Sequence, residues 1–296
     1  MHKAFVLKNL RQVTVIGLGL LGSSIALGIT RNGAGIKTAG YSHRAITRQR
    51  ARQLGVADEI FDDICKSVAQ ADIVILATPI CTFEEIFRTI APALKKGCIV
   101  TDVGSTKVLP HKWAKKSLPK HVNYAGSHPI AGSEQRGVEF GRDDLFDNAA
   151  CIITKDAVTN PSAVRIMKKF WSLLGCRITT MTPQQHDRIL SNVSHLPHAL
   201  AVALLNASDL KQLKFCGKGF MDTSRIASGP VNIWSDIFYT NSANICKGID
   251  KTVKELLKLK KAVKLKNKKQ IEKLLRLAHS KRAKLIKYKV SKKEIQ

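Results

Sequence analysis

The chain has 296 residues, 44% of them apolar, enough to bury a sizeable core and to form two domains. It carries 49 Lys and Arg against 22 Asp and Glu, a formal charge of +27, so a polyanionic partner has to be considered. No apolar run approaches a membrane span, and the N-terminal MHKAFVLKNLRQ puts charges where a secretory signal needs an apolar stretch, so a soluble, cytoplasmic protein is expected. In chain order, β-branched apolar runs predict strands over 13–16, 37–41, 73–77, 99–103, 123–125, 151–154 and 177–180. Helical patterns fall between them over 20–31, 45–54, 83–94, 107–116 and 161–174. This alternation predicts a parallel α/β sheet. After Met181-Thr182-Pro183 the pattern is helical only, starting with a long run over 184–208 that Pro197 is expected to kink or restart. The expected division is a domain over 1–180 and a helical one over 181–296.

The stretch Val13–Ala26, VTVIGLGLLGSSIA, narrows the first domain further. A strand runs into Gly17-Leu18-Gly19-Leu20-Leu21-Gly22 and then into an apolar helix. Gly17 permits the tight turn, Gly19 lets the backbone approach a pyrophosphate, and Gly22 lets helix and strand pack closely. Free N–H groups at the helix start, around Leu20 and Leu21, sit at its positive end, where phosphates bind. In this context GxGxxG predicts a doubly wound, Rossmann-type domain that binds a nicotinamide dinucleotide. At the end of the second strand Gly40-Tyr41-Ser42-His43-Arg44 lacks the acid that would hold a ribose 2′-hydroxyl. Ser42 and Arg44, with Arg48 as a further candidate, would suit a 2′-phosphate instead, so the reading leans to NADP with NAD as the alternative.

Seven scattered cysteines, Cys65, Cys81, Cys98, Cys151, Cys176, Cys216 and Cys246, form no CxxC pair and suggest neither a disulfide framework nor a zinc site. They read as small buried apolar residues. Residues 251–296 hold 18 Lys and Arg against 3 acids, so this tail supplies +15 of the net charge. Its apolar residues, among them Ile249, Val253, Leu256, Ile271, Leu274 and Leu285, recur at helical spacing. The lysines are therefore expected on the solvent faces of two amphipathic helices, and no nucleic-acid-binding motif accompanies them.

Two segments are placed at the carboxyl edge of the sheet, where doubly wound folds bind ligands: Asp102–Lys107 (DVGSTK) and Ser127–Glu134 (SHPIAGSE). They offer the Ser105 hydroxyl, the Lys107 cation near a helix start, and the His128 imidazole, which can take a proton near neutral pH. The helical half adds His186-Asp187-Arg188, Ser194-His195-Leu196-Pro197-His198 and Asp222-Thr223-Ser224-Arg225. His195 and His198 lack a carboxylate or thiolate at ligand spacing, so no metal is expected. Arg225, in an apolar setting, is a candidate fork for a substrate carboxylate.

With GLGLLGSSIA (17–26), ILATP (75–79), DVGSTK (102–107), SHPIAGSE (127–134), HDRILSNVSHLPHALA (186–201) and GFMDTSRIASGPVNIWSDIF (219–238), the chain resembles the prephenate/arogenate dehydrogenases of tyrosine biosynthesis across essentially its full length. The resemblance implies a Rossmann domain followed by an all-α dimerisation domain, a homodimer, and an active site in the cleft between the domains. It implies that His128 takes the proton of the substrate 4-hydroxyl, that Ser105 orients that hydroxyl and His128, and that Arg225, with His198, binds the side-chain carboxylate. It implies that His186, Glu134 and Trp234 shape the pocket, and that Thr78 and Pro79 join the glycine turn at the cofactor. The activity implied is oxidative decarboxylation of prephenate, or of arogenate, with NAD(P)+. A related Rossmann β-hydroxyacid dehydrogenase or pyrroline-5-carboxylate reductase would place a lysine or a different polar set on the first helix of the second domain, where this chain has His186 and SHLPH. A basic nucleic-acid-binding protein on a vestigial fold would not need Ser105, His128, His198 and Arg225 together.

Overall fold

A computed structural model of the chain describes residues 10–33, 35–131 and 135–291. Two compact units are present, Met1–Ile245 and Cys246–Gln296. In the first, strands β1 (Gln12–Ile16), β2 (Lys37–Tyr41), β3 (Glu59–Phe61), β4 (Ile73–Leu76), β5 (Ile99–Asp102) and β6 (Asn123–Tyr124) form one parallel sheet in the order β3-β2-β1-β4-β5-β6. Chain order reverses between β1 and β4, which creates the switch-point crevice at the carboxyl ends of these strands.

The strands sort their side chains by alternation. In β4, Ile73 and Ile75 join a core with Val13, Val15, Ile25 and Ile29 on one face, while Val74 and Leu76 join Ile16, Phe83, Phe87 and Val100 on the other. All four β4 residues are fully buried, which is why the strand reads as an unbroken apolar run. Helices α1 (Leu20–Arg31), α2 (Ala45–Gln53), α3 (Ile64–Val68), α4 (Phe83–Ile90) and α5 (Val108–Ser117) connect the strands. The short β3 and α3 were not anticipated, because three and five residues are too few to display a period.

Past β6 the chain builds a second sheet from β7 (Gly126–Ile130), β8 (Ala150–Thr154) and β9 (Arg177–Met181), with β7 antiparallel and β9 parallel to β8. Helix α6 (Pro161–Leu173) makes the parallel crossover; Asn160 caps it, accepting from Ser162 N–H, and Pro161 takes its first position. His128 sits on a strand, paired with Ile152, where the sequence pattern predicts none. Proline in the middle of the segment masked its strand character.

Helix α7 (Pro183–Leu190) starts at a capping box in which the Thr182 hydroxyl accepts from Gln185 N–H and the Gln185 side chain accepts from Thr182 N–H. A π-helical turn, Ser191–His195, joins it to α8 (Leu196–Asn206). The interruption expected at Pro197 therefore lies earlier, and Pro197 occupies the first turn of α8, where its missing N–H costs nothing. Nine residues, about two and a half turns of plain α-helix, would leave His195 on the face opposite His186. The wider π turn absorbs that mismatch, and His186, His195 and His198 are all buried. Helices α9 (Leu210–Leu213), α10 (Lys218–Ser224) and α11 (Val231–Thr240) follow, and α12 (Ser242–Lys264) begins in this unit.

The second unit holds the rest of α12 and α13 (Lys268–Ser291), with Asn267 accepting from Gln270 N–H at the start of α13. Its lysines and arginines are mostly exposed, and Lys258–Glu255 and Arg276–Glu272 pair along the helices. No helix among the described residues is long and apolar enough to cross a membrane. The cysteines depart from expectation: Cys98, Cys151 and Cys176 are buried, but Cys81 and Cys246 are exposed.

Candidate active site

The glycine turn is built as a phosphate cradle. Gly17 adopts φ +100° and lies so close to Ala77 and Thr78 that a β-carbon would meet the Ala77 carbonyl oxygen at 2.6 Å. A β-carbon on Gly22 would meet the Gly17 carbonyl oxygen at 1.8 Å. At Gly19, by contrast, a β-carbon would meet nothing within 4 Å. Gly19 is also the N-cap of α1 and offers no side chain to the helix N–H groups, and the first turn holds no acid. The turn is thus tight against protein on one side and open at the positive helix end, as a pyrophosphate requires. Thr78 packs beside Gly17, and its hydroxyl is 2.8 Å from that of Thr82, which donates to the Pro79 carbonyl.

At the end of β2, Ser42 is buried and Arg44 is exposed at the N-cap of α2. Arg48 is committed elsewhere: it donates to the carbonyls of Ser42 and His43, at 2.7 and 3.1 Å, and to Asp62 at 2.7 Å. It therefore shapes the loop.

The loop after β5 is anchored by a buried ion pair. Lys107 turns inward, its ammonium on Asp102 Oδ1, and both residues are fully buried. Asp102 also accepts from Tyr124 OH at 2.6 Å and from Gly104 N–H at 2.7 Å. The Lys107 cation, a candidate for ligand chemistry by its place near the helix start, is therefore a structural one. Ser105 is half-buried in this loop, and Thr106 donates from its hydroxyl to that of Thr240 on α11 at 2.8 Å.

His128 on β7 lies with Nδ1 2.9 Å from His186 Nε2 on α7. His186 Nδ1 is 2.8 Å from Asp187 Oδ1, and Asp187 accepts from Lys107 N–H at 2.7 Å and Val108 N–H at 2.9 Å, capping α5. His128 retains some exposure, whereas His186 and Asp187 have none. Burial first, and then the neighbouring His186, Lys107 and His195, hold the His128 pKa well below its ordinary value, and burial followed by Lys107 pushes His186 down to about 2. Both rings are neutral at physiological pH, so His128 can accept a proton.

Asn241 extends this cluster: its amide donates to the Asp187 carbonyl at 2.8 Å and lies 3.2 Å from His195 Nδ1. The His195 ring meets Trp234 edge-on, and Trp234 stacks on His198 at 3.5 Å between ring centroids. The buried Nδ1 of His198 has no hydrogen-bond partner among the described residues. A β-carbon on Gly229 would meet Trp234 Nε1 at 2.2 Å, so glycine is needed for this stack. Arg225 is exposed at the head of the short turn 225–228, and Ile226 in that turn hydrogen-bonds His198 through its backbone.

The structure thus joins His128 to His186 and His198 to Trp234, with Asn241 and His195 between the pairs, and leaves Ser105 and Arg225 at the margins. Glu134 lies outside the described residues. Among these residues no cluster of His, Cys, Asp and Glu could hold a metal. Asp187 and Asn241 carried no function in the sequence; the His-Asp dipeptide was the available signal for the first.

Models of two domains match: the prephenate dehydrogenase nucleotide-binding domain over residues 25–180 and the prephenate dehydrogenase dimerization domain over 182–279. The chain belongs to the prephenate dehydrogenase family. A cyclohexadienyl dehydrogenase from Zymomonas mobilis is 33% identical over 260 residues, 86% of this chain and 88% of that one. The crystal structure of a prephenate dehydrogenase from A. aeolicus, in complex with hydroxyphenyl propionate and NAD+, matches with a TM-score of 0.87 and 32% identity over 94% of this chain and 99% of that one. A Synechocystis arogenate dehydrogenase structure matches with a TM-score of 0.80 and 27% identity over 93% and 99%. The chain is thus a nicotinamide-dependent dehydrogenase of the prephenate/arogenate family.

Proposed function

We propose that the chain is a prephenate dehydrogenase that converts prephenate to 4-hydroxyphenylpyruvate and CO₂ in tyrosine biosynthesis, with His128 as its proton acceptor. The observation that carries this reading is His128 on β7, its Nδ1 hydrogen-bonded to His186, together with a glycine turn that fits a pyrophosphate. Gly17, Gly19, Leu20, Leu21, Gly22, Thr78 and Pro79 would hold the dinucleotide. The bound nicotinamide supplies the acceptor for the hydride that leaves C4.

His128 takes the C4-hydroxyl proton as the C4–H bond breaks. Loss of the ring carboxylate as CO₂ then returns an electron pair through the ring to the oxygen, which recovers its proton from His128 as the ring becomes aromatic. Ser105 orients the hydroxyl. Arg225 binds the side-chain carboxylate, assisted by His198, whose plane Trp234 fixes by stacking. His186 and Trp234 complete the pocket, and Glu134 is assigned to it only by its place in the motif SHPIAGSE. Arogenate is the second reading, favoured by the likeness to the Synechocystis enzyme; its side chain carries an amino group in place of the keto group.

Ser42 and the exposed Arg44 support NADP over NAD. The helical region from residue 181 forms the homodimer, in line with the dimerization-domain match. The lysines of α12 and α13 serve as a solvated face, with no nucleic acid bound. Purified chain assayed with prephenate and arogenate, each with NAD+ and NADP+, is expected to reduce the nicotinamide fastest with prephenate and NADP+. Reduction with neither substrate overturns the reading.

A further inference from the structure

Asp187 has no role in the chemistry above, yet its carboxylate controls the chain of bonds that ends at His128. Two of its contacts, from Lys107 N–H and Val108 N–H, are backbone donors that cannot reverse, and they lie at the positive end of α5. Its oxygens are therefore acceptors, and the third contact makes His186 Nδ1 the donor. A neutral imidazole has one N–H, so His186 Nε2 carries a lone pair. That lone pair faces His128 Nδ1 at 2.9 Å, so Nδ1 of His128 is the donor and its single proton is used there. The remaining nitrogen, Nε2, is left as the base.

We infer that Asp187, acting through His186, is a positioning residue that fixes the tautomer of His128 so that Nε2 accepts the substrate proton. The inference rests on the reading of His128 as the base. No second proton transfer is needed: when His128 Nε2 is protonated, its Nδ1–H still donates to His186, and His186 still donates to Asp187, so the new charge on His128 is met by a fixed acceptor. Lys107 belongs to the same device, since its N–H holds Asp187 while its ammonium is turned away onto Asp102.

The test uses the full chain with ¹⁵N-labelled histidine, comparing wild type with Asp187→Asn, in which one oxygen becomes an N–H donor able to turn His186 over. Wild-type His128 is expected as the Nδ1–H tautomer, and the Asn variant is expected to show the Nε2–H form. Turnover should fall roughly 10- to 1,000-fold with KM little changed, a softer version of the roughly 10⁴-fold loss when the orienting carboxylate of a Ser-His-Asp triad is made an amide. If the lost cap on α5 prevents folding, His186→Leu and His186→Gln make the comparison. Leu removes the acceptor and should lose both the tautomer and the rate, whereas the Gln carbonyl can accept from His128 Nδ1–H and should restore both in large part. An Nε2–H tautomer in wild type, or an unchanged tautomer in Asp187→Asn and in His186→Leu, overturns the inference. The tautomer is read without substrate, so a failure of the substrate assignment would show separately, in the activity assay.

Discussion

Replacing Lys107 by Met keeps the stem and removes the charge. In the native chain Asp102 and Lys107 are both fully buried, so solvent screens neither. After the substitution Asp102 keeps the Tyr124 hydroxyl at 2.6 Å and the Gly104 N–H at 2.7 Å, both neutral donors, and has no cation. Breaking a buried pair by removing one partner costs about 3–5 kcal/mol. The two retained hydrogen bonds place this case at the lower end, about 3 kcal/mol. Adding Asp102→Asn removes the stranded charge, and the double variant should lie within about 1 kcal/mol of wild type, because well-packed neutral replacements of buried pairs are often close to neutral. The double variant should therefore be about 2 kcal/mol more stable than Lys107→Met alone, although it carries one change more. Urea midpoints at pH 7.5 measure it, provided the slope is unchanged among the variants. A Lys107→Met variant within about 0.5 kcal/mol of wild type, or a double variant worse than the single, would refute the claim that this pair anchors the loop.

Arg225→Ala should raise the KM for prephenate about 10- to 100-fold with kcat nearly constant, the signature of a carboxylate clamp acting equally on ground and transition states; steady-state kinetics check it. Arg44→Ala should weaken NADP+ by about 1.5–3 kcal/mol and leave NAD+ alone, and Ser42→Asp should turn preference towards NAD+, both read from cofactor KM values. The buried neutral histidines make the protein acid-sensitive. The unfolded chain takes up protons near pH 6.5, while folded His195 resists until about 4 and His186 until about 2, so stability should be full above about pH 6.5 and decline as pH falls through that window. Asp187, whose pKa burial raises, opposes this in part. Urea midpoints at pH 7.5, 6 and 5 should decrease in that order.

The sheet was legible because its central strands are buried on both faces and read as continuous apolar runs, and because α1 follows its glycine turn without ambiguity; α1 and β2 matched residue for residue. The second sheet was only partly visible, since Pro129 sits inside a strand and interrupts its pattern. In the site, His128, His186, His198 and Trp234 could be named from motifs. Their pairing could not, because it depends on β7 and α7 meeting across 58 residues of sequence. The inward turn of Lys107 was equally hidden: its partner Asp102 stands five residues away, on the end of a strand rather than on a helix face. The π turn left no signature in the hydrophobic pattern beyond a loss of phase between His186 and His195.

The most direct test of the central claim is turnover of prephenate by His128→Asn, with binding of cofactor and substrate measured in the same preparation. Asn cannot take the hydroxyl proton, so kcat should fall by about two to four orders of magnitude while both ligands still bind. Near-normal turnover in that variant would contradict the assignment of His128 as the base.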